Sequence, residues 1–123
     1  KKTGPTSKEL AILGILWDRG PCTVHDVHAA LHKQRETGYT TTLKLMQLML
    51  GKGLLVREGA GRRHIYRPAH SEEKTQKQVV KELLGKAFAG SAEKLVMRAL
   101  SVKKVSSEEL NNIRKMLDEM EGA

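Results

Sequence analysis

Thr40-Thr41-Thr42-Leu43-Lys44-Leu45-Met46-Gln47-Leu48-Met49-Leu50-Gly51-Lys52 is the stretch whose reading settles how the rest of the chain is understood. Projected at about 100° per residue, it sorts into two faces. Leu45, Met49, Thr42, Met46, Leu50 and Leu43 fall within an arc of about 160°. The other face carries Thr40, Thr41, Lys44, Gln47, Gly51 and Lys52, with Leu48 as the single apolar misfit. Such a helix packs on one side and stays accessible on the other. Thr40 is placed to cap it and Gly53 to stop it, so it is predicted to run from Thr40 to near Lys52.

Working back along the chain, two more short helices come into view. Thr6-x-x-Glu9 is a capping box, in which each side chain satisfies the other's free backbone N–H. Leu10, Ile12, Leu13, Leu16 and Trp17 follow at helical spacing, and Gly20-Pro21 ends the run. Thr23, with Asp26 three residues on, caps a second helix whose stripe is Val24, Val27 and Leu31 and which ends near Lys33. Residues 1–5 read as a flexible lead-in, and residues 34–38 as a polar connector.

Working forward, residues 54–58 (LLVRE) and 63–67 (RHIYR) are strand-like, with Gly59-Ala60-Gly61 between them and Pro68 at the end. That is the pattern of a β-hairpin. Three short helices and then a hairpin is the order of a winged helix-turn-helix, here residues 6–70. From Ser71 only helical patterns remain, over about 72–89, 92–100 and 107–121, the last opened by Ser106-x-x-Glu109. Leu110, Ile113, Met116, Leu117 and Met120 share an arc of about 120°. Together with Val80, Leu83, Leu84, Phe88 and Leu95 they form stripes that about fifty residues of helix cannot cover alone. Residues 71–123 therefore read as a helical dimerisation domain, covered by a second copy. The expected fold class is mainly α with a small β-hairpin wing (α+β).

Charge agrees with that division. Residues 1–70 hold 12 Lys/Arg against 5 Asp/Glu, and residues 71–123 hold 10 against 9, so the excess that makes the chain +8 lies in the first part. A cationic lobe suits a polyanionic partner. On the third helix, Gln47 suits adenine, Lys44 guanine or a phosphate, and Thr40 and Thr41 a thymine methyl or a phosphate in a major groove. Arg62 and Arg63, backed by Arg57, Arg67 and His64, place cations on the wing, where they can follow a phosphate backbone without reading sequence. Both features also have plainer explanations. The helix face could simply be solvated, and charged edge strands discourage aggregation.

His25, His28 and His32 lie within an arc of about 60° on the second helix, near Cys22 in sequence. They keep a metal- or redox-responsive regulator open as an alternative, beside a module that docks on an acidic protein and binds no DNA. No CxxC, HExxH or carboxylate cluster completes a ligand set, so no metal and no cofactor is expected. GxSxG, GxxxxGK[ST] and GxGxxG are missing too, so no enzyme is expected. The lone Cys22 fits a semi-buried structural thiol in a reducing compartment. No apolar run approaches the ~18–20 residues of a membrane span and no signal-peptide pattern is present, so the expectation is a soluble, cytoplasmic protein without membrane insertion.

Taken together, Thr6-x-x-Glu-Leu-x-Ile-Leu-x-Ile-Leu-Trp17, Thr23-Val-x-x-Val-x-x-x-Leu31, Tyr39-Thr40-Thr41, Lys52-Gly-Leu-Leu55 and Tyr66-Arg67-Pro68 resemble the penicillinase-repressor (BlaI/MecI-like) family of bacterial regulators. The resemblance runs over roughly residues 6–120. It implies a homodimer whose winged helices bind a dyad-symmetric double-stranded DNA operator and block transcription, with interlocked C-terminal helices. It also implies relief by a membrane sensor protease that cuts the dimerisation region. Where the family's usual scissile pair is Asn-Phe, the corresponding place here holds Arg98-Ala99, which becomes the candidate cleavage region. The C-terminal cysteine cluster of copper-responsive relatives has no counterpart in this sequence.

Overall fold

Thr6 starts the first helix as its capping box requires. The Thr6 backbone N–H donates to Glu9 Oε1 at 2.9 Å, and the Glu9 N–H to Thr6 Oγ1 at 3.2 Å. The computed structural model describes residues 4–34, 36–59 and 63–122. The elements run α1 (Ser7–Arg19), α2 (Val24–Gln34), α3 (Tyr39–Gly51), β1 (Leu55–Glu58), β2 (Ile65–Pro68), α4 (Glu72–Ala87), α5 (Ala92–Val102) and α6 (Ser107–Gly122). This is the expected mainly helical fold, a winged helix-turn-helix followed by a helical segment. Among the described residues, no helix is long and apolar enough to cross a membrane.

The core lies where α1, α2, α3 and the hairpin meet. Ile12, Leu13, Ile15 and Leu16 come from α1, Val24, Val27, Ala30 and Leu31 from α2, Met46 and Met49 from α3, and Leu55 and Tyr66 from the strands. With one Trp, two Tyr and one Phe in the chain, aliphatic and Met side chains carry this interior. Each fully buried one contributes roughly 1.5–3 kcal/mol relative to exposure. The strands pair antiparallel, with Leu55 opposite Pro68 and Glu58 opposite Ile65. Cys22 adds a third partner: its N–H donates to the Tyr66 carbonyl at 3.0 Å, and the Tyr66 N–H to the Cys22 carbonyl at 2.8 Å. That bridge ties the loop before α2 to the root of the wing.

Several boundaries differ from those read in the sequence. Helix α3 begins at Tyr39, not at a Thr40 cap; Gly38 is the N-cap, in extended conformation and without a side-chain bond. Its carbonyl accepts the Thr42 N–H at 3.2 Å, which moves the cap two residues upstream of the expected Thr40. Gly53, at φ +81°, does end the region, one residue past the Lys52 C-cap. Helix α4 stops at Ala87, because Ala89 (φ +49°) and Gly90 (φ +82°) turn left-handed and the Gly90 N–H reaches back to the Leu84 carbonyl at 2.9 Å. Left-handed residues just past the last turn are a common way for a helix to end. Helix α5 runs on to Val102.

The chain divides into two compact units, Lys1–Glu82 and Leu83–Ala123, with the boundary inside α4. In the second unit, α5 and α6 bury no residue, while α4 buries only Thr75, which belongs to the first unit.

Candidate nucleic-acid interface

Helix α3 is seated in the core by its back. Thr42, Met46 and Met49 are completely buried, at 0% exposure. Thr40, Thr41, Lys44 and Gln47 on the opposite side are all exposed, as are Gly51 and Lys52. The two faces therefore separate in space as the helical projection separates them, and the polar one is accessible within the described part of this chain. Leu48 is exposed too, at 55%, in the middle of that polar face.

Both ends of α3 are held. At its start, the Thr42 hydroxyl donates to the Gly38 carbonyl at 3.4 Å and lies 3.2 Å from His28 Nδ1 on α2. The His28 ring also meets Tyr39 edge-on, with centroids 5.4 Å apart. His32 Nδ1 lies 3.3 Å from the Thr37 carbonyl in the connecting turn. His28 and His32 thus act partly as struts between α2 and the turn into α3. His25 stays exposed. Among the described residues, no three His, Cys, Asp or Glu side chains converge on a point that could hold a metal ion.

At the far end, Lys52 Nζ donates to Glu9 Oε2 at 2.7 Å, with the Glu9 side chain almost fully buried and Lys52 half exposed. Burial alone would push the Glu9 carboxyl up, but the Lys52 ammonium and the hydrogen bonds from Thr6 outweigh it and hold Glu9 below the usual carboxylate value. This tie was not legible in the sequence, where Glu9 announces itself only as a capping residue and Lys52 stands 43 positions away.

The wing is only partly described. Arg62 falls outside the described residues, as do Ala60 and Gly61 of the expected reversal. Arg63 and Arg57 are exposed. Arg67 is engaged, its Nε 2.7 Å from Glu58 Oε2, so its charge is partly answered within the hairpin. Gly59 is required at the turn: it sits at φ +102°, and a Cβ there would stand 2.9 Å from the Arg63 carbonyl oxygen. At the first turn of α2, hydrogen bonds from the Thr23 backbone and hydroxyl hold the Asp26 carboxyl below its usual range. His25 and Arg63 contribute smaller charge effects in the same direction. Cys22 is buried, and desolvation pushes its thiol up, against thiolate reactivity.

The proposed dimerisation residues are incompletely covered. Val80, Leu83 and Leu117 are exposed, and Leu84, Phe88, Leu95, Leu110 and Ile113 are half-buried. Val96, Met97, Leu100 and Val102 on α5 are exposed as well; of these, Val102 lies beyond the helix end expected near residue 100. Arg98 and Ala99 lie exposed within α5.

Comparison with known proteins places the whole arrangement. The sequence profile of the family described as Penicillinase repressor matches residues 5–119. The chain belongs to the penicillinase-repressor family. Two relatives, each named Transcriptional regulator BlaI, come from Mycobacterium tuberculosis strains CDC 1551 / Oshkosh and ATCC 25618 / H37Rv. Each is 30% identical over 115 residues, covering 92% of this chain and 82% of the relative. A crystal structure of a probable transcriptional regulator from Pseudomonas aeruginosa covers 96% of this chain and 80% of its own, at 21% identity and a TM-score of 0.47. Penicillinase repressors are regulators and not enzymes.

Proposed function

We propose that the chain is a DNA-binding transcriptional repressor that acts as a homodimer on a dyad-symmetric operator. In this reading residues 6–70 form the DNA-binding domain and residues 71–123 the dimerisation domain. Helix α3 enters the major groove, with Thr40, Thr41, Lys44 and Gln47 at base edges or nearby phosphates, while Arg62 and Arg63 grip the flanking backbone. The observation that carries the reading is α3 itself: Thr42, Met46 and Met49 on its back are completely buried, both its ends are tied, and its front is largely polar and open. A rigidly seated helix can present side chains to a groove without first losing freedom of its own.

Support for the homodimer comes from α5 and α6, whose apolar stripes are only partly covered within the described residues. A second copy matches such a surface by symmetry, residue against residue. Relief by a membrane sensor protease belongs to the same proposal. Arg98-Ala99 lies on the exposed helix α5, and cutting there requires α5 to open locally, which an unburied helix does readily.

Selection of bound duplexes from a random pool tests the proposal. The expected result is a recovered dyad with half-sites about one helical turn, ~10 bp, apart or a multiple of it. A pool that returns no preferred sequence would overturn it. Monomer mass in light scattering at micromolar concentration would remove the dimer.

A further inference from the structure

Leu48 is the residue that the polar face of α3 does not explain. It is an apolar side chain, 55% exposed, with Lys44 one turn before it and Thr41 two turns before it. It serves no packing purpose inside the described chain, since the buried positions of the helix are Thr42, Met46 and Met49 on the other side. Of its neighbours on the helix surface, Thr41, Lys44, Gly51 and Lys52 offer no large apolar side chain and Leu45 is partly buried against the core, so it presents no extended apolar patch to a protein partner. One turn beyond it on the same face, Gly51 leaves open space where a Cβ would stand, so nothing bulky holds the end of the helix away from an approaching surface.

We infer that Leu48 is a specificity-determining residue that recognises a thymine by its C5-methyl group. The inference rests on the DNA-binding reading of α3 given above. Base edges in the major groove offer hydrogen-bond donors and acceptors, and thymine adds an apolar methyl. A leucine facing that groove gains nothing from donors or acceptors. It gains from removing its own surface and a methyl from water together. Lys44, one turn earlier, stays free for a guanine or a phosphate, so the two side chains divide adjacent positions of one half-site.

The test uses the full chain and the duplex recovered from the random pool. Each thymine is replaced in turn by deoxyuridine, which deletes only the methyl, and affinity is measured at one fixed salt concentration for the unmodified chain and for Leu48→Ala. At one thymine per half-site, the replacement is expected to weaken the unmodified chain about fourfold, the equivalent of one buried methyl-sized group. Leu48→Ala is expected to be insensitive to the same replacement. Because Leu48 is half exposed, the variant is expected to keep its thermal midpoint, and that measurement separates a lost contact from unfolding. If no thymine is methyl-sensitive, or if Leu48→Ala is as sensitive as the unmodified chain, the assignment to Leu48 falls while the DNA-binding reading stands. If the unmodified chain prefers no duplex at all, both fall.

Discussion

Helices α1–α3 and helices α5–α6 carry the same kind of amphipathic pattern, yet they end in opposite states. The first set closes on itself, with Ile12, Leu13, Leu16, Val27 and Met46 almost wholly out of water. The second leaves Val96, Met97, Val102, Met116, Leu117 and Met120 in contact with it, and buries nothing. An apolar stripe states that a helix needs a cover, but not whether the cover is in the same chain. In the amino-terminal unit the hairpin and three helices supply it. In the carboxy-terminal unit the proposed twin subunit would.

Disrupting each region in turn separates the two cases. Leu16→Ala should lower the unfolding free energy by about 2–5 kcal/mol, as a buried leucine deletion does, with no dependence on protein concentration. Leu117→Ser should act through association, lowering the mass seen in light scattering and giving an unfolding midpoint that varies with concentration. If both variants behaved alike, the contrast between self-contained and shared cores would be lost.

A smaller effect belongs to the tie across the first unit. Glu9→Gln keeps a capping-box residue at that position but removes the charge facing Lys52, and should cost about 1–3 kcal/mol. The pH dependence follows from the sign of the shift. Because folding lowers the Glu9 pKa below its ordinary 4.5, its contribution is fully present above that value and fades as pH falls through the lower folded value. Denaturant titrations from neutral to acid pH should therefore show a drop in stability below about 4.5 that Glu9→Gln makes shallower.

Changes on the proposed DNA-facing side should leave stability alone and alter binding. Gln47→Ala is expected to lose about 1–3 kcal/mol of discrimination at one base position if it pairs there in bidentate fashion. Equal weakening on every sequence would assign it to the backbone instead. Arg63→Ala should give the mildest change, a salt dependence shallower by about one unit in its logarithmic slope with sequence preference intact.

Local chemistry made most of the fold legible. Thr6-x-x-Glu9, Thr23 with Asp26, and Ser106-x-x-Glu109 each produce the cap bonds that their spacing promises. The two faces of α3 could likewise be read from residue order alone. What stayed hidden was long-range or backbone-borne. Lys52 looked like one more surface cation until the chain brought it to Glu9. The strut from His28 to Thr42 depends on how α2 crosses α3, which no spacing within α2 reports. The misplaced start of α3 shows two rival signals: Thr40 offers a capping hydroxyl, but the glycine at 38 adopts the extended cap conformation and its carbonyl takes the bond first.

The Cys22–Tyr66 bridge has an implication for how this lobe can vary. Because the two residues are joined through their main chains, the foot of the hairpin is anchored whatever side chain occupies position 22, provided it fits the buried site. Doubling the length of the segment beyond Glu58 and before Ile65 would add only about 0.6 kcal/mol of closure entropy. The length of the hairpin tip is thus free to change by insertion or deletion while its foot stays tied to the loop before α2, and in the proposed complex that would retune its reach along a phosphate backbone.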